Sequence, residues 1–213
     1  MMHRIAEGAE AEIYAAKLLG RKVIVKYRPI KRYREKELDE ELRKQRTKVE
    51  ARIQAKLYNS EVDVPAVIMV GKYWIAMERI DGETLNRVKT RGSKKWENGP
   101  MRRAMERAGE QLGRVHSLGV VHGDFTPANL MLDKNGRLWI IDFGLSIFSN
   151  SDEERALDLL LMKRSVSEGA YSAFMEKYEK ALGDGSKLVL ERLKSIEKRG
   201  RYQSRTLDSQ ISK

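Results

Sequence analysis

The chain has 213 residues, 41% of them hydrophobic, enough for one core shared between two small lobes and too few for several independent domains. Its 42 Lys and Arg against 31 Asp and Glu leave a formal charge of +11, which favours polyanionic partners without saying where on the surface they bind. Cys is absent, which excludes disulfides, thiolate metal sites and a cysteine nucleophile and fits a reducing cytoplasm; Met1 to Glu12 has no apolar run of signal-peptide type, and no later run approaches about 18 uninterrupted apolar residues, so no membrane span is expected.

Ile13-Tyr14 and Lys22 to Tyr27, rich in Val, Ile and Tyr, flank Gly20-Arg21 and read as a β-hairpin. From Glu35 to Tyr58, Leu38, Leu42, Val49, Ile53 and Leu57 recur at helical spacing without Pro or Gly, which predicts one long amphipathic helix. After Val64-Pro65, the runs Ala66 to Val70 and Tyr73 to Met77 read as strands joined by a tight turn at Gly71-Lys72. Residues 1–80 therefore read β-β-α-β-β. Asn86 to Pro100 is polar and contains Lys89, Arg91, Lys94 and Lys95, the composition of an exposed basic loop. Arg102 to Leu118 reads as a helix, Val120 to Leu132 as a loop and Arg137 to Asp142 as a strand; Glu153 to Arg164, Ala170 to Leu182 and Leu188 to Lys198 read as further helices. The expected organisation is α+β: an antiparallel sheet with one long helix over residues 1–80, a short helical lobe over 81–198, and a basic, mobile tail over 199–213.

The residues that carry chemistry lie in two linked motifs. His122-Gly123-Asp124-Phe125-Thr126-Pro127-Ala128-Asn129 and Asp142-Phe143-Gly144 follow the order and spacing of a kinase catalytic loop and metal-binding turn. Asp124 is suited to orient an attacking hydroxyl and receive its proton, so it is the expected catalytic base. Mg²⁺ prefers hard oxygen ligands, which assigns it to Asn129 and Asp142. Upstream, Val23-Ile24-Val25-Lys26 places Lys26 on a strand ahead of the helix that carries Glu50. Lys26 would contact the α- and β-phosphates of ATP, and Glu50 would pair with it and restrict its rotamers. Gly8-Ala9-Glu10-Ala11 stands where kinases place a Gly-rich loop over the phosphates; with a single glycine it should be stiffer. Met77, Glu78 and Ile80 fall in the connection between lobes, where the Glu78 carbonyl and Ile80 amide are candidates for adenine recognition. The set implies a minimal two-lobed eukaryotic-type protein-kinase fold.

Gly8-Ala9-Glu10-Ala11, Lys26-Tyr27-Arg28, Arg46-Thr47-Lys48-Val49-Glu50-Ala51-Arg52, His122-Gly123-Asp124 and Asp142-Phe143-Gly144 together resemble the PRPK-type kinase of the KEOPS complex, over nearly the whole chain. The resemblance implies an atypical serine/threonine kinase and ATPase acting beside the enzyme that makes threonylcarbamoyladenosine in tRNA. It also implies two protein partners: an actin-like-fold transferase docked on the kinase, and a small subunit on the N-lobe. Gly123 stands where regulated kinases carry an Arg that pairs with a phosphorylated activation loop, so that switch is not expected. No Ala-Pro-Glu segment follows Asp142, which argues against efficient phosphorylation of free peptides. Lys198, Arg199, Arg201 and Arg205, with Tyr202 among them, are the expected tRNA contacts of the tail. Asp158 has two readings, a tie to the catalytic loop or an ordinary exposed acid, and is not assigned to the site.

Two further readings remain open at the level of sequence. A scaffold subunit whose nucleotide only stabilises the fold would account for the depleted glycine loop. A small-molecule phosphotransferase shares His-Gly-Asp, but would need a larger helical lobe to enclose its substrate.

Overall fold

The computed structural model describes residues 2–92 and 99–211, with side chains over 2–88 and 99–199. In chain order the elements begin β1 (His3–Glu7), β2 (Glu12–Leu18), β3 (Arg21–Tyr27), α1 (Lys36–Asn59), β4 (Val67–Val70), β5 (Trp74–Glu78), β6 (Gly82–Thr84) and α2 (Leu85–Gly92). They continue with α3 (Gly99–Ser117), β7 (Val120–Val121), a 3₁₀ turn (Pro127–Asn129), β8 (Leu130–Asp133), β9 (Leu138–Ile140), β10 (Ile147–Phe148), α4 (Asp152–Ser165), α5 (Glu168–Leu182) and α6 (Ser186–Ile211). Packing groups them into two compact units, one of Met1–Lys95 with Pro127–Phe148, the other of Trp96–Thr126 with Ser149–Lys213. The segment holding Asn129 and Asp142 thus packs with the N-terminal residues. No helix among the described residues is long and apolar enough to cross a membrane.

The first unit is built on an antiparallel sheet of spatial order β1-β2-β3-β5-β4, with α1 packed on β4 and β5. A smaller sheet of order β6-β8-β9 completes it. The sequence pattern finds α1 and the inward-facing Ile53 and Leu57, but misplaces the inward face of the helix ahead of them. Leu38 is exposed and Leu42 and Val49 are half-buried, while Asp39, Arg43, Thr47, Glu50 and Gln54 are buried beside Ile53 and Leu57. The buried polar groups are satisfied: Arg43 Nε donates to Asp39 at 2.7 Å, Thr47 Oγ1 to the Arg43 carbonyl at 2.8 Å, and Gln54 Nε2 to the Pro65 carbonyl at 2.7 Å.

Three expectations are corrected. β1 precedes the expected hairpin; every residue of His-Arg-Ile-Ala-Glu is exposed on a sheet edge, so no alternating apolar pattern marks it. Residues 85–92 form α2 instead of a loop, because fully buried Leu85 anchors its first turn. α6 continues past Lys198 to Ile211, through Gly200, since one glycine inside a helix costs only about 1 kcal/mol. Lys94 and Lys95 lie outside the described residues, as do the side chains of Lys89, Arg91, Arg201 and Arg205.

The second unit centres on the α3–α5 pair, whose core includes Leu112, Phe125, Phe174 and Tyr178. Two glycines one turn apart set how closely the helices approach. A Cβ at Gly109 would lie 1.9 Å from the Phe174 carbonyl oxygen, and one at Gly113 would lie 2.6 Å from the Ala181 Cβ. Both obstacles are parts of a neighbouring helix that cannot swing aside as a flexible side chain would. Gly109→Ala is expected to destabilise the protein by about 3 kcal/mol, the upper range for overpacking. Urea unfolding would show this as a lower midpoint at unchanged m-value.

Candidate active site

Lys26, near the end of β3, and Arg28, one residue past it with its N–H held to the Tyr73 carbonyl at 2.9 Å, both reach the buried polar face of α1. There the Glu50 carboxylate accepts from Lys26 Nζ at 2.6 Å with one oxygen and from Arg28 Nη2 at 2.5 Å with the other. Lys26 Nζ also donates to Asp142 Oδ1 at 2.6 Å. Lys26, Arg28 and Glu50 are each under a tenth exposed, whereas the Asp142 side chain is 52% exposed. Two positive and two negative groups thus form a balanced cluster whose last carboxylate faces open space. Removing Glu50 would leave the buried Arg28 guanidinium without its carboxylate and Lys26 with Asp142 alone, at a cost of about 3–5 kcal/mol.

Asp142 holds a left-handed backbone at φ 65°, rare for a residue with a side chain. The Gly144 N–H donates to Asp142 Oδ1 at 3.1 Å. A Cβ on Gly144 would stand 3.0 Å from Lys26 Nζ and 3.1 Å from that same oxygen, so glycine leaves the space the ion pair needs. The Ile141 N–H donates to the Asn129 carbonyl at 2.9 Å, tying the end of the catalytic-loop motif to the metal-turn motif.

These groups line a cavity of about 390 Å³ within the first unit. Ile5, Ile13, Ile24, Met77, Met131 and Ile141 supply apolar walls, while Lys26, Glu50, Asn129 and Asp142 gather in it as polar groups. Glu78, Arg79 and Ile80 line it as well. Of the expected site residues, then, Lys26, Glu50, Asn129, Asp142, Met77, Glu78 and Ile80 come together. Gly8 to Ala11 do not join the lining; they form the β1–β2 tip, closed by a bond of 2.9 Å from the Gly8 N–H to the Ala11 carbonyl. Glu10 turns to Arg34 at 3.1 Å and Arg46 at 2.6 Å. Partial burial pushes its carboxyl up, but the two guanidinium groups outweigh this and hold it below the ordinary value.

Asp124 lies in the second unit, half-buried, its N–H donating to His122 Nδ1 at 3.3 Å. The loop before it hangs on Asp158, which is fully buried and accepts from the His122 and Gly123 N–H groups at 2.8 and 2.9 Å. Asp158 is therefore a tie to the catalytic loop; its place in a charged helix gave sequence reasoning no means to choose. The same carboxylate lies 3.2 Å from His116 Nε2, whose Nδ1 meets the Tyr178 hydroxyl at 2.9 Å. A carboxylate only accepts, so Nε2 carries the proton and Nδ1 accepts from Tyr178. Burial holds the phenol well above its ordinary pKa, in keeping with a donor role.

Burial also pushes His116 below its ordinary value of 6.5, against the opposing hydrogen bond and charge of Asp158; Arg155 and His122 add to the lowering. The unfolded chain thus binds a proton below pH 6.5 that the folded protein resists, and stability falls as the pH drops through that window. His116→Gln removes this term. Its unfolding free energy is expected to vary less steeply than wild type between about pH 6.5 and 5, measured by urea titration at each pH.

The chain matches the protein kinase domain over residues 1–173. It is 37% identical to the KEOPS complex subunit Bud32 of Pyrococcus abyssi, over 96% of this chain and 98% of that protein. It is 33% identical to a probable bifunctional tRNA threonylcarbamoyladenosine biosynthesis protein of Methanobrevibacter smithii, over 93% of this chain but 36% of that longer protein. Among solved structures, the Rio2 kinase–ADP/Mg²⁺–phosphoaspartate complex from Chaetomium thermophilum superposes with a TM-score of 0.63 at 18% identity, over 94% of this chain and 70% of that one, and shares the fold. A kinase-type sheet and helical unit, a Lys–Glu–Asp cluster and this full-length similarity agree: the chain belongs to the protein kinase domain family and, within it, to the Bud32-type kinase subunits of KEOPS.

Proposed function

We propose that this chain binds ATP with Mg²⁺ and transfers or hydrolyses the terminal phosphate, in support of threonylcarbamoyladenosine formation on tRNA within a KEOPS assembly. The observation that carries this reading is Lys26 Nζ, 2.6 Å from both Glu50 and Asp142 in a cavity with an apolar half and a charged half. In the apolar half, Ile13, Ile24, Met77 and Met131 would sandwich adenine, with the backbone of Glu78 and Ile80 at its edge. Lys26, held in one rotamer by Glu50, would meet the α- and β-phosphates.

The donor set fits Mg²⁺. Asp142 offers a carboxylate and Asn129 an amide oxygen in the same cavity, and no cluster of three His, Cys, Asp or Glu able to hold a metal occurs among the described residues. Two hard protein ligands, completed by phosphate oxygens and water, are the usual arrangement for this ion. Bound there, Mg²⁺ would neutralise charge on the β- and γ-phosphates. Asp124 would orient the attacking hydroxyl or water and accept its proton, with its backbone positioned through Asp158. Serine/threonine specificity, cytoplasmic location and docking on an actin-like-fold transferase and a small N-lobe subunit follow from the family resemblance. In the tail, Lys198, Arg199, Arg201 and Arg205 are proposed tRNA contacts, with Arg199 also paired to Glu153 at 2.8 Å.

A scaffold role is the second reading, favoured by the absence of the β1–β2 tip from the cavity lining. Turnover of ATP by the purified chain separates the two. Asp124→Asn is expected to lower kcat by about 10²–10⁴-fold with nucleotide affinity little changed, and Lys26→Ala to weaken both. In the reconstituted assembly, a wild-type yield of modified tRNA with Asp142→Ala would favour the scaffold.

A further inference from the structure

The net charge of +11 acquires a location outside the nucleotide cavity. The β3–α1 connection and the first residue of α1, Arg-Pro-Ile-Lys-Arg-Tyr-Arg-Glu-Lys over residues 28–36, line with the rest of α1 and Tyr73 a second concavity of about 460 Å³ in the first unit. Its cations are of two kinds. Arg43 is committed inward, to Asp39 at 2.7 Å and to the face of Tyr73 with 3.9 Å from guanidinium to ring centroid. Arg34 is committed to Glu10 and Asp39. Lys31, Arg32 and Lys36 also line the concavity, and none has an ion pair among the described residues.

Nor do the lining acids neutralise them. Asp39 is buried in its pair with Arg43, and Glu40 accepts from Lys72 at 2.5 Å, a contact that holds its carboxyl below the ordinary value. Glu35 and Glu37 are exposed on the same segment but outside the lining. Beside the three uncompensated cations stands Tyr33, 76% exposed, its ring centroid 5.2 Å from the Arg34 guanidinium. Folding alone gives no reason to leave a large ring in water amid repelling cations.

Point charges spaced along a segment, next to a solvent-facing ring, suit a ligand with regularly spaced negative charge and flat apolar faces. An acidic peptide has the first property only, and a paired duplex hides its base faces. We infer that the β3–α1 connection is a binding site for unpaired polynucleotide, with backbone phosphates on Lys31, Arg32 and Lys36 and a base stacked on Tyr33. The site is separate from the ATP cavity and does not depend on turnover there.

The test uses the full-length chain without ATP and a fluorescent single-stranded oligoribonucleotide of unpaired sequence, with affinity read across a salt series. The triple variant Lys31→Ala, Arg32→Ala, Lys36→Ala is expected to flatten the plot of log affinity against log salt by about 2, from roughly 0.7 for each phosphate that is no longer neutralised. Tyr33→Ala is expected to weaken binding about 10-fold with the slope unchanged. Thermal unfolding checks that both variants keep the wild-type fold, as expected for side chains of which Arg32, Tyr33 and Lys36 are exposed and Lys31 half-buried. An unchanged slope in the triple variant, wild-type affinity in Tyr33→Ala, or displacement of the oligonucleotide by polyglutamate as readily as by unlabelled RNA would overturn the assignment.

Discussion

Glu50 stands between two cations, one at the end of β3 and one just past it, and much of the first unit is arranged around that fact. Each of these ions, taken from water, costs several kcal/mol in solvation, and only near-ideal geometry offsets that penalty. Lys26 on β3 and Arg28 just beyond it must therefore arrive on the same side, and α1 must turn a polar stripe toward the sheet where an ordinary amphipathic helix would turn leucines. Replacing the cluster with apolar residues of equal volume would cost little stability and could add some. What the ions contribute is position: a lysine amine held in one place and a partly exposed carboxylate within its reach.

The second unit solves a related problem with backbone instead of side chains. Asp158 gathers two successive N–H groups and one imidazole N–H on a single buried carboxylate. A buried carboxylate needs donors to replace lost water, and the loop needs a fixed acceptor to hold its shape, so each requirement meets the other. Tyr178 fixes the imidazole tautomer from the far side. In each unit, then, a buried carboxylate holds a neighbouring residue in place: Glu50 holds Lys26 in the first, and Asp158 holds the loop before Asp124 in the second.

Which parts were legible in the sequence depended on whether the deciding interaction was local. Strands β2 to β5 and the helices of the second unit follow from short-range periodicity, and the order of Lys26, Glu50, Asp124, Asn129 and Asp142 follows from motif spacing. Strand β1 was not legible, because an edge strand of polar and charged residues has no face pattern to detect. The inward face of α1 ahead of Ile53 was misread for a related reason: its burial is decided by partners on β3 and elsewhere in the unit, which periodicity on the helix itself cannot reveal. Asp158 and His116 belong to the same class. Helix α2 was hidden by basic composition, and only the buried Leu85 accounts for it.

The β1–β2 tip carries one glycine where freedom to flex over phosphates is the common solution. Here Glu10 fastens that tip to Arg34 and Arg46, and Arg46 lies on the helix that carries Glu50. Flexing is exchanged for latching: one charge pair ties the tip to α1 and a second ties it to the segment just before that helix. Such pairs are weakened by dissolved ions, over a Debye length of about 8 Å at physiological ionic strength. The hold on the tip would then be set by the ionic medium around it, instead of by backbone softness.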